Sequence, residues 1–183
     1  CVAQGFELPS ANPRWMRVFE KGFGHQSYCI EQSCNGEITA LIPFSYMQSV
    51  LFGRFLVSLP YLNVGGVLTA PGVDPTEAIS AATDLPLTAD LEGGYAVDGE
   101  IVEETARLAI EAGAVGFNFE DQVVGGDGLH DIELQQDRIR AARAGAPEAF
   151  LNARTDIFLK APPETHDAAM LDEAVARAKA YAD

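Results

Sequence analysis

Acidic side chains recur at three points of the sequence where a short apolar run ends, and they are the residues best suited to chemistry. In chain order these run ends carry Asp90 and Glu92, then Glu120 and Asp121, then Asn152, Arg154 and Asp156. If the runs are neighbouring parallel strands, their carboxyl ends meet at one edge of a sheet. Carboxylates at such short distances repel one another unless a cation neutralises them. Oxygen ligands without Cys or His suit a hard ion such as Mg²⁺ or Mn²⁺.

Arg154 is the positive group expected beside these carboxylates. Its planar guanidinium can bind a carboxylate or phosphoryl group while a metal ion binds another oxygen of the same substrate. That arrangement would suit stabilising an enolate. A structural role for these acidic residues is the alternative, because acidic residues at strand ends also cap the following helix.

The elements needed to position these residues follow from the alternation of apolar runs and amphipathic windows. Strands are predicted in LPLTAD, AVGFNFE and AFLNARTD, and helices in EIVEETARLAIEAG, IELQQDRIRAARAG and MLDEAVARAKAYAD. Strand and helix in alternation imply parallel strands with right-handed crossovers. The second part of the chain is therefore expected to be α/β.

The first part of the chain has a different composition. Residues 1–70 contain four Lys or Arg and four Asp or Glu, whereas residues 71–183 contain eight and twenty-three, so the second part carries all fifteen net negative charges. A boundary near Pro71 gives two domains, 1–70 and 71–183. The first is predicted to hold a helix in NPRWMRVFEKGF, capped at Asn12, then strands in SYCIEQS, GEITALIPFSYM and FLVSLPYLNVGGVLT, with a hairpin turn at Asn35 and Gly36.

The charge balance and hydropathy exclude several classes of partner. A net charge of −15 argues against nucleic acid, which needs clustered Lys and Arg. No apolar run reaches the roughly 20 residues of a membrane span, and the start lacks the pattern of a signal peptide. We expect a cytoplasmic protein with reduced cysteines and no membrane partner, in which a small anionic substrate would need a local positive centre.

The strings TADLEGGY, GAVGFNFEDQ and LNARTD, in this order and spacing, closely resemble the isocitrate lyase and phosphoenolpyruvate mutase superfamily, particularly its phosphonomutase-like members. The resemblance extends from about Thr76 to Asp183. It implies a partial (β/α)8 TIM-type barrel of about three β/α units. It also implies a magnesium-dependent lyase or mutase that makes or breaks C–C or P–C bonds beside a 2-oxo or 2-hydroxy carboxylate through a metal-stabilised enolate.

The same resemblance assigns roles to individual residues. Mg²⁺, or Mn²⁺, would be held by Asp90, Glu92 and Glu120, with Arg154 facing the ion across a substrate-sized gap. His130 lies in the loop that gates the site in this superfamily and is a second catalytic candidate beside Arg154. The expected substrate-binding residues are Gly93, Gly94, Asn152 and Arg154.

Residues 7–70 resemble the start of FemAB-related acyltransferases, which are relatives of the GNAT fold, in the segment FGHQSYCIEQSCNGEITALIPFSYM and its continuation. This implies a partial α+β GNAT-like segment before the barrel units. An N-acyltransferase, or an inactive fragment or fusion of two partial domains, is therefore the alternative function. Three barrel units would leave open sheet edges, so a homo-oligomer is possible, and we expect weak or no activity from the chain by itself.

Overall fold

The computed structural model describes residues 14–50, 53–58, 68–123 and 125–182. The chain divides into two compact units, and the division along the sequence falls between Asp84 and Leu85. Helices lie at α1 Trp15–Phe23, α2 Pro75–Ala82, α3 Gly99–Glu111, α4 Ile132–Gly145 and α5 Ala168–Ala182. Strands lie at β1 Gln26–Cys34, β2 Glu37–Ser49, β3 Gly53–Val57, β4 Leu68–Thr69, β5 Thr88–Asp90, β6 Gly116–Glu120 and β7 Phe150–Arg154. The domain boundary at residue 71 stays a prediction, since a compact unit need not begin where a sequence domain begins.

The first unit is a helix followed by an antiparallel sheet, in the order that the sequence predicts. Strand β2 pairs with β1, β3 and β4. The β1–β2 turn is made by Asn35 and Gly36, both with positive φ, as the hairpin prediction requires. The predicted cap at Asn12 lies outside the described residues, as does most of the stretch between β3 and β4. Cys29 and Cys34 are exposed free thiols.

Helix α2 was not predicted; it lies directly after the predicted domain boundary near Pro71. Asp74 caps it: its Oδ1 accepts hydrogen bonds from the backbone N–H groups of Thr76, at 2.8 Å, and Glu77, at 3.1 Å. Pro75 stands in the first turn, where its missing N–H costs nothing. Ala78 packs with Ile42 and other apolar residues of β2 in the core of the first unit.

The second unit contains the predicted parallel sheet, in the order β5-β6-β7. Its core lies between this sheet and helices α3 and α4, with Phe117 and Phe119 from β6 packed against Val102, Ala106 and Ala142. Asp98 begins α3, since its carboxylate accepts a hydrogen bond from the Glu100 N–H at 2.8 Å. Helix α4 has the predicted bounds. None of the helices among the described residues is both long and apolar enough to cross a membrane.

Helices α3 and α4 approach closely at Gly145. A Cβ on this residue would lie 2.1 Å from the backbone oxygen of Glu103. One turn earlier on both helices, a Cβ on Gly99 would make an ordinary contact of 3.5 Å with Ala141. The absence of a side chain at Gly145 therefore sets the spacing of the two helices.

We expect Gly145→Ala to destabilise the protein by about 1–3 kcal/mol, the usual cost of overpacking, although alanine has the higher helix propensity. Gly99→Ala is the matched control and should leave stability within about 0.5 kcal/mol or raise it slightly. Urea denaturation followed by far-UV circular dichroism measures both. Equal stability of the two variants would contradict the close helix contact.

Candidate functional site

The sequence-predicted polar residues of the three parallel strands lie on one face of the sheet. Asp90 is in register with Asn118, and Asn118 with Asn152. Glu120 is in register with Arg154. Side chains alternate along a strand, so these positions share the face opposite to the helix-packed Phe117 and Phe119. Local strand pairing therefore brings together acidic, amide and guanidinium groups at the carboxyl end of the sheet.

Arg154 is the central charge of this face. Its Nη1 lies 2.7 Å from Glu120 Oε1 and its Nη2 lies 3.1 Å from Asp156 Oδ1. Both carboxylates are buried, whereas Arg154 is partly exposed. Arg154 and Glu120 thus form a direct ion pair. The physical reason is that two buried carboxylates need a counter-charge, and the opposite position on β7 puts a guanidinium within reach.

Glu120 carries the perturbed carboxyl group of the site. Burial, followed by the charge of Asp156, raises the pKa of Glu120 to about 7, and these effects outweigh the lowering by Arg154. The second oxygen, Oε2, accepts a hydrogen bond from Gln122 Nε2 at 2.5 Å. Because the pKa in the folded state exceeds the ordinary 4.5, the stability that this group contributes is complete below pH 4.5 and is lost as pH rises through about 7.

The turn after β5 joins Asp90 and Glu92 to the rest of the site. Asp90 Oδ1 accepts a hydrogen bond from the Glu92 N–H at 3.2 Å, and the Glu92 carbonyl accepts one from the Glu120 N–H at 2.7 Å. Glu92 and Tyr95 both have positive φ, at 49° and 59°. Such backbone strain costs of order 1–3 kcal/mol per residue and is concentrated at functional sites. The turn therefore holds Glu92 beside β6 at a conformational cost.

Gly93 and Gly94, predicted to bind substrate, are buried in this turn. Gly94 has φ 73°, and a Cβ there would lie 2.6 Å from Phe119 Cε2, so the position admits only glycine without rearrangement. Gly93 lines a cavity of about 230 Å³ together with Tyr95, His130 and Arg138. Their role in substrate binding stays a prediction.

The remaining predicted residues, Asn152 and His130, occupy different surroundings. Asn152 Nδ2 donates a hydrogen bond to Asn118 Oδ1 at 2.9 Å on the polar face of the sheet. His130 is buried and borders the cavity beside Arg138. Burial and then the charge of Arg138 lower the pKa of His130, which favours its neutral ring at pH 7. The structure thus places Asn152 with Asp90, Glu120 and Arg154 on the strand face, and His130 at the cavity.

The donor set fits a hard divalent ion in chemical type. Asp156 Oδ2 is a buried oxygen without a hydrogen-bond partner, and the charges of Asp156 and Asp90 both raise the pKa of Glu120. Both observations indicate an excess of negative charge that a cation would offset. Within residues 14–50, 53–58, 68–123 and 125–182, however, no three His, Cys, Asp or Glu side chains are grouped as metal ligands. Metal binding is therefore a proposal rather than a finding.

Sequence reasoning missed a set of buried or partly buried polar residues that support the site from the helices. They are Gln135 and Arg138 of α4 and Arg177 and Tyr181 of α5. Asp121 is fully buried and accepts hydrogen bonds from Tyr181, at 2.8 Å, and Arg177, at 3.2 Å. It also accepts one from the Asp156 N–H at 2.9 Å, which makes Asp121 a structural connector. The sequence offered no signal for Gln135 and Arg138, since the exposed Asp137 and Arg140 have the same spacing on the same helix.

The titration of Glu120 can be tested by carboxyl ¹³C NMR. We expect a midpoint near pH 7. Asp156→Asn should lower the pKa of Glu120 because it removes a neighbouring negative charge, and Arg154→Met should raise it because it removes the positive one. Glu120→Gln assigns the signal by abolishing it. A Glu120 midpoint that moves in the same direction in both variants would contradict this charge arrangement.

Comparison with known proteins agrees with the arrangement of this unit. No curated protein matches the chain significantly. Among solved structures, a proposed phosphonomutase from Burkholderia cenocepacia J2315 is 49% identical over 58% of this chain and 46% of its own, with TM-score 0.57. A 2,3-dimethylmalate lyase is 31% identical over 60% of this chain and 36% of its own, with TM-score 0.50.

A phosphonopyruvate hydrolase solved with oxalate and Mg²⁺ is 28% identical over 58% of this chain and 36% of its own, with TM-score 0.50. The chain therefore spans less than half the length of these solved relatives. The family model of phosphoenolpyruvate phosphomutase matches residues 66–183, which include every predicted site residue. The chain belongs to the phosphoenolpyruvate phosphomutase family.

Proposed function

We propose that this chain contributes to a lyase or mutase that acts on a 2-oxo or 2-hydroxy carboxylate and makes or breaks a C–C or P–C bond through an enolate. The observation that carries the proposal is the meeting of Arg154 with Glu120 and Asp156 at the carboxyl end of a parallel sheet. In barrel enzymes of this kind the reacting groups lie at that end of the strands. The family match and the solved lyase and hydrolase relatives support the same class of reaction.

Arg154 is the proposed substrate-binding residue. Its two terminal nitrogens already bind carboxylate oxygens from two different residues, at 2.7 and 3.1 Å. A substrate carboxylate offers the same pair of acceptors and would compete for the same donors. Asn152, on the same strand face, offers an amide that could bind a further substrate oxygen.

Asp90, Glu92 and Glu120 are the proposed ligands of Mg²⁺ or Mn²⁺. When bound, such an ion would supply the positive charge that stabilises an enolate. The turn after β5 sets the position of Glu92 through the hydrogen bond from the Glu120 N–H. Because the pKa of Glu120 is about 7, its carboxyl is only partly ionised at pH 7, and a bound cation would favour the ionised form.

His130 is a secondary catalytic candidate. Its lowered pKa favours a neutral imidazole, which would act as a proton acceptor rather than a donor. The acyltransferase interpretation of residues 7–70 stays a prediction, since the matched family region begins at residue 66. The cytoplasmic location and the homo-oligomer also stay predictions.

Metal binding is tested by titrating Mn²⁺ into the full chain and following the electron paramagnetic resonance signal of the free ion. Asp90→Ala and Glu120→Gln should each weaken binding at least roughly tenfold, because each removes a charged oxygen ligand. Asp137→Asn is the control, since Asp137 is an exposed carboxylate of α4 paired with Arg140. Mn²⁺ affinity that is the same in wild type and in Asp90→Ala would contradict the proposed site.

Substrate recognition is tested with oxalate, the dicarboxylate present in the solved hydrolase relative. In the presence of Mn²⁺, Arg154→Met should weaken oxalate binding by roughly 10-fold to 100-fold, the expected effect of losing a charge-assisted pair of hydrogen bonds. Arg140→Met removes an exposed arginine and should leave the oxalate affinity unchanged. Isothermal titration calorimetry measures both. Equal oxalate affinities for the two variants would show that Arg154 does not bind the substrate.

A further inference from the structure

Arg138 joins the turn after β5 to helix α4. It is 2% exposed, and its guanidinium lies over the Phe119 ring at 5.0 Å from the centroid. Its Nη2 donates hydrogen bonds to two backbone carbonyls of the turn, those of Gly93 and, at 2.9 Å, Ala96. A buried guanidinium bound to two carbonyls of one turn fixes where that turn lies.

The same arginine reaches the end of β6 through a second side chain. Arg138 Nη1 donates to Gln135 Oε1, and Gln135 Nε2 donates to the Glu120 carbonyl at 3.2 Å. Gln135 is also fully buried. One hydrogen-bonded chain therefore runs from the backbone beside Glu92 to the backbone of Glu120.

The turn needs an external support of this kind. Glu92, Gly94 and Tyr95 all have positive φ, and two of them bear side chains that disfavour this conformation. Within the turn, the Gly94 N–H donates to the Leu91 carbonyl at 2.7 Å. Two backbone bonds link the turn to β6: the Leu91 N–H donates to the Asn118 carbonyl at 3.2 Å, and the Glu120 N–H donates to the Glu92 carbonyl at 2.7 Å. Helix α4 supplies rigid anchoring through Arg138.

We propose that Arg138 is a positioning residue that, together with Gln135, holds the turn after β5 against the end of β6. Glu92 and Glu120 thereby keep a fixed separation. The inference rests on the proposed metal function, because a fixed separation matters for two side chains that must bind one ion. Arg138 contacts neither ligand side chain in the hydrogen bonds and ion pairs of the described residues and acts through backbone carbonyls.

The first experiment compares Mn²⁺ affinity of the full chain in matched variants. Arg138→Lys keeps the charge but replaces two separate donor nitrogens, one on Gln135 and one on the two carbonyls, by a single ammonium without the forked geometry. We expect its Mn²⁺ affinity to fall by about 10-fold to 100-fold, the usual effect of losing a residue that orients metal ligands. Arg140→Lys, on the exposed face of the same helix, should bind Mn²⁺ as the wild type does.

A second variant separates the two arms of the network and avoids dependence on one substitution. Gln135→Glu keeps an oxygen that accepts from Arg138 and loses the donor to the Glu120 carbonyl. Mn²⁺ affinity should fall, while amide exchange in the turn stays slow because Arg138 still binds Gly93 and Ala96. In Arg138→Lys the Gly94 and Glu120 amides should both exchange faster than in Arg140→Lys.

The outcomes distinguish this inference from the proposed function. Unchanged Mn²⁺ affinity in Arg138→Lys, with a lowered melting temperature, would show a structural role alone and overturn the inference. If the wild type binds no Mn²⁺, the proposed metal function fails, and amide exchange still decides whether Arg138 holds the turn. Unchanged exchange of Gly94 and Glu120 in Arg138→Lys would overturn the positioning role whatever the metal does.

Discussion

The burial of three carboxylates at one end of a parallel sheet is the constraint on which the second unit depends. Glu120, Asp121 and Asp156 are each less than 5% exposed. Removing a charged group from water is costly unless a counter-charge and hydrogen bonds replace the lost hydration. Two arginines supply them: Arg154 serves Glu120 and Asp156, and Arg177 serves Asp121. Strand β7 supplies Arg154 and helix α5 supplies Arg177, so both elements must pack beside β6 for these acids to be buried.

Much of the second unit could be predicted, because hydrophobic periodicity reports directly on strands and helices packed in one core. The parallel order of β5, β6 and β7 follows from alternation with α3 and α4, and that order places the acidic strand ends together. Helix α2 was missed because a short helix of small residues carries little periodicity. Its signal was local: Asp74 as cap and Pro75 in the first turn.

The detailed site could not be predicted, because tertiary contacts decide which partner a charged side chain takes. Arg154 was expected to face a metal ion, and its direct ion pairs with Glu120 and Asp156 did not follow from the sequence. On a helical pattern, Arg138 and Arg177 are indistinguishable from solvated charges such as Arg140. Only the fold shows that the first two point into the protein, toward carbonyl and carboxylate oxygens.

The hydrogen bonds of Asp121 carry a consequence for the order in which the protein assembles. Its carboxylate is satisfied by groups 35, 56 and 60 residues further along the chain, in Asp156, Arg177 and Tyr181. Contacts so distant in sequence form late in folding, since loop closure precedes any gain from them. During synthesis on the ribosome, this acid would stay partly hydrated until α5 emerges. The acidic end of the sheet is thus completed only after α5 has been translated.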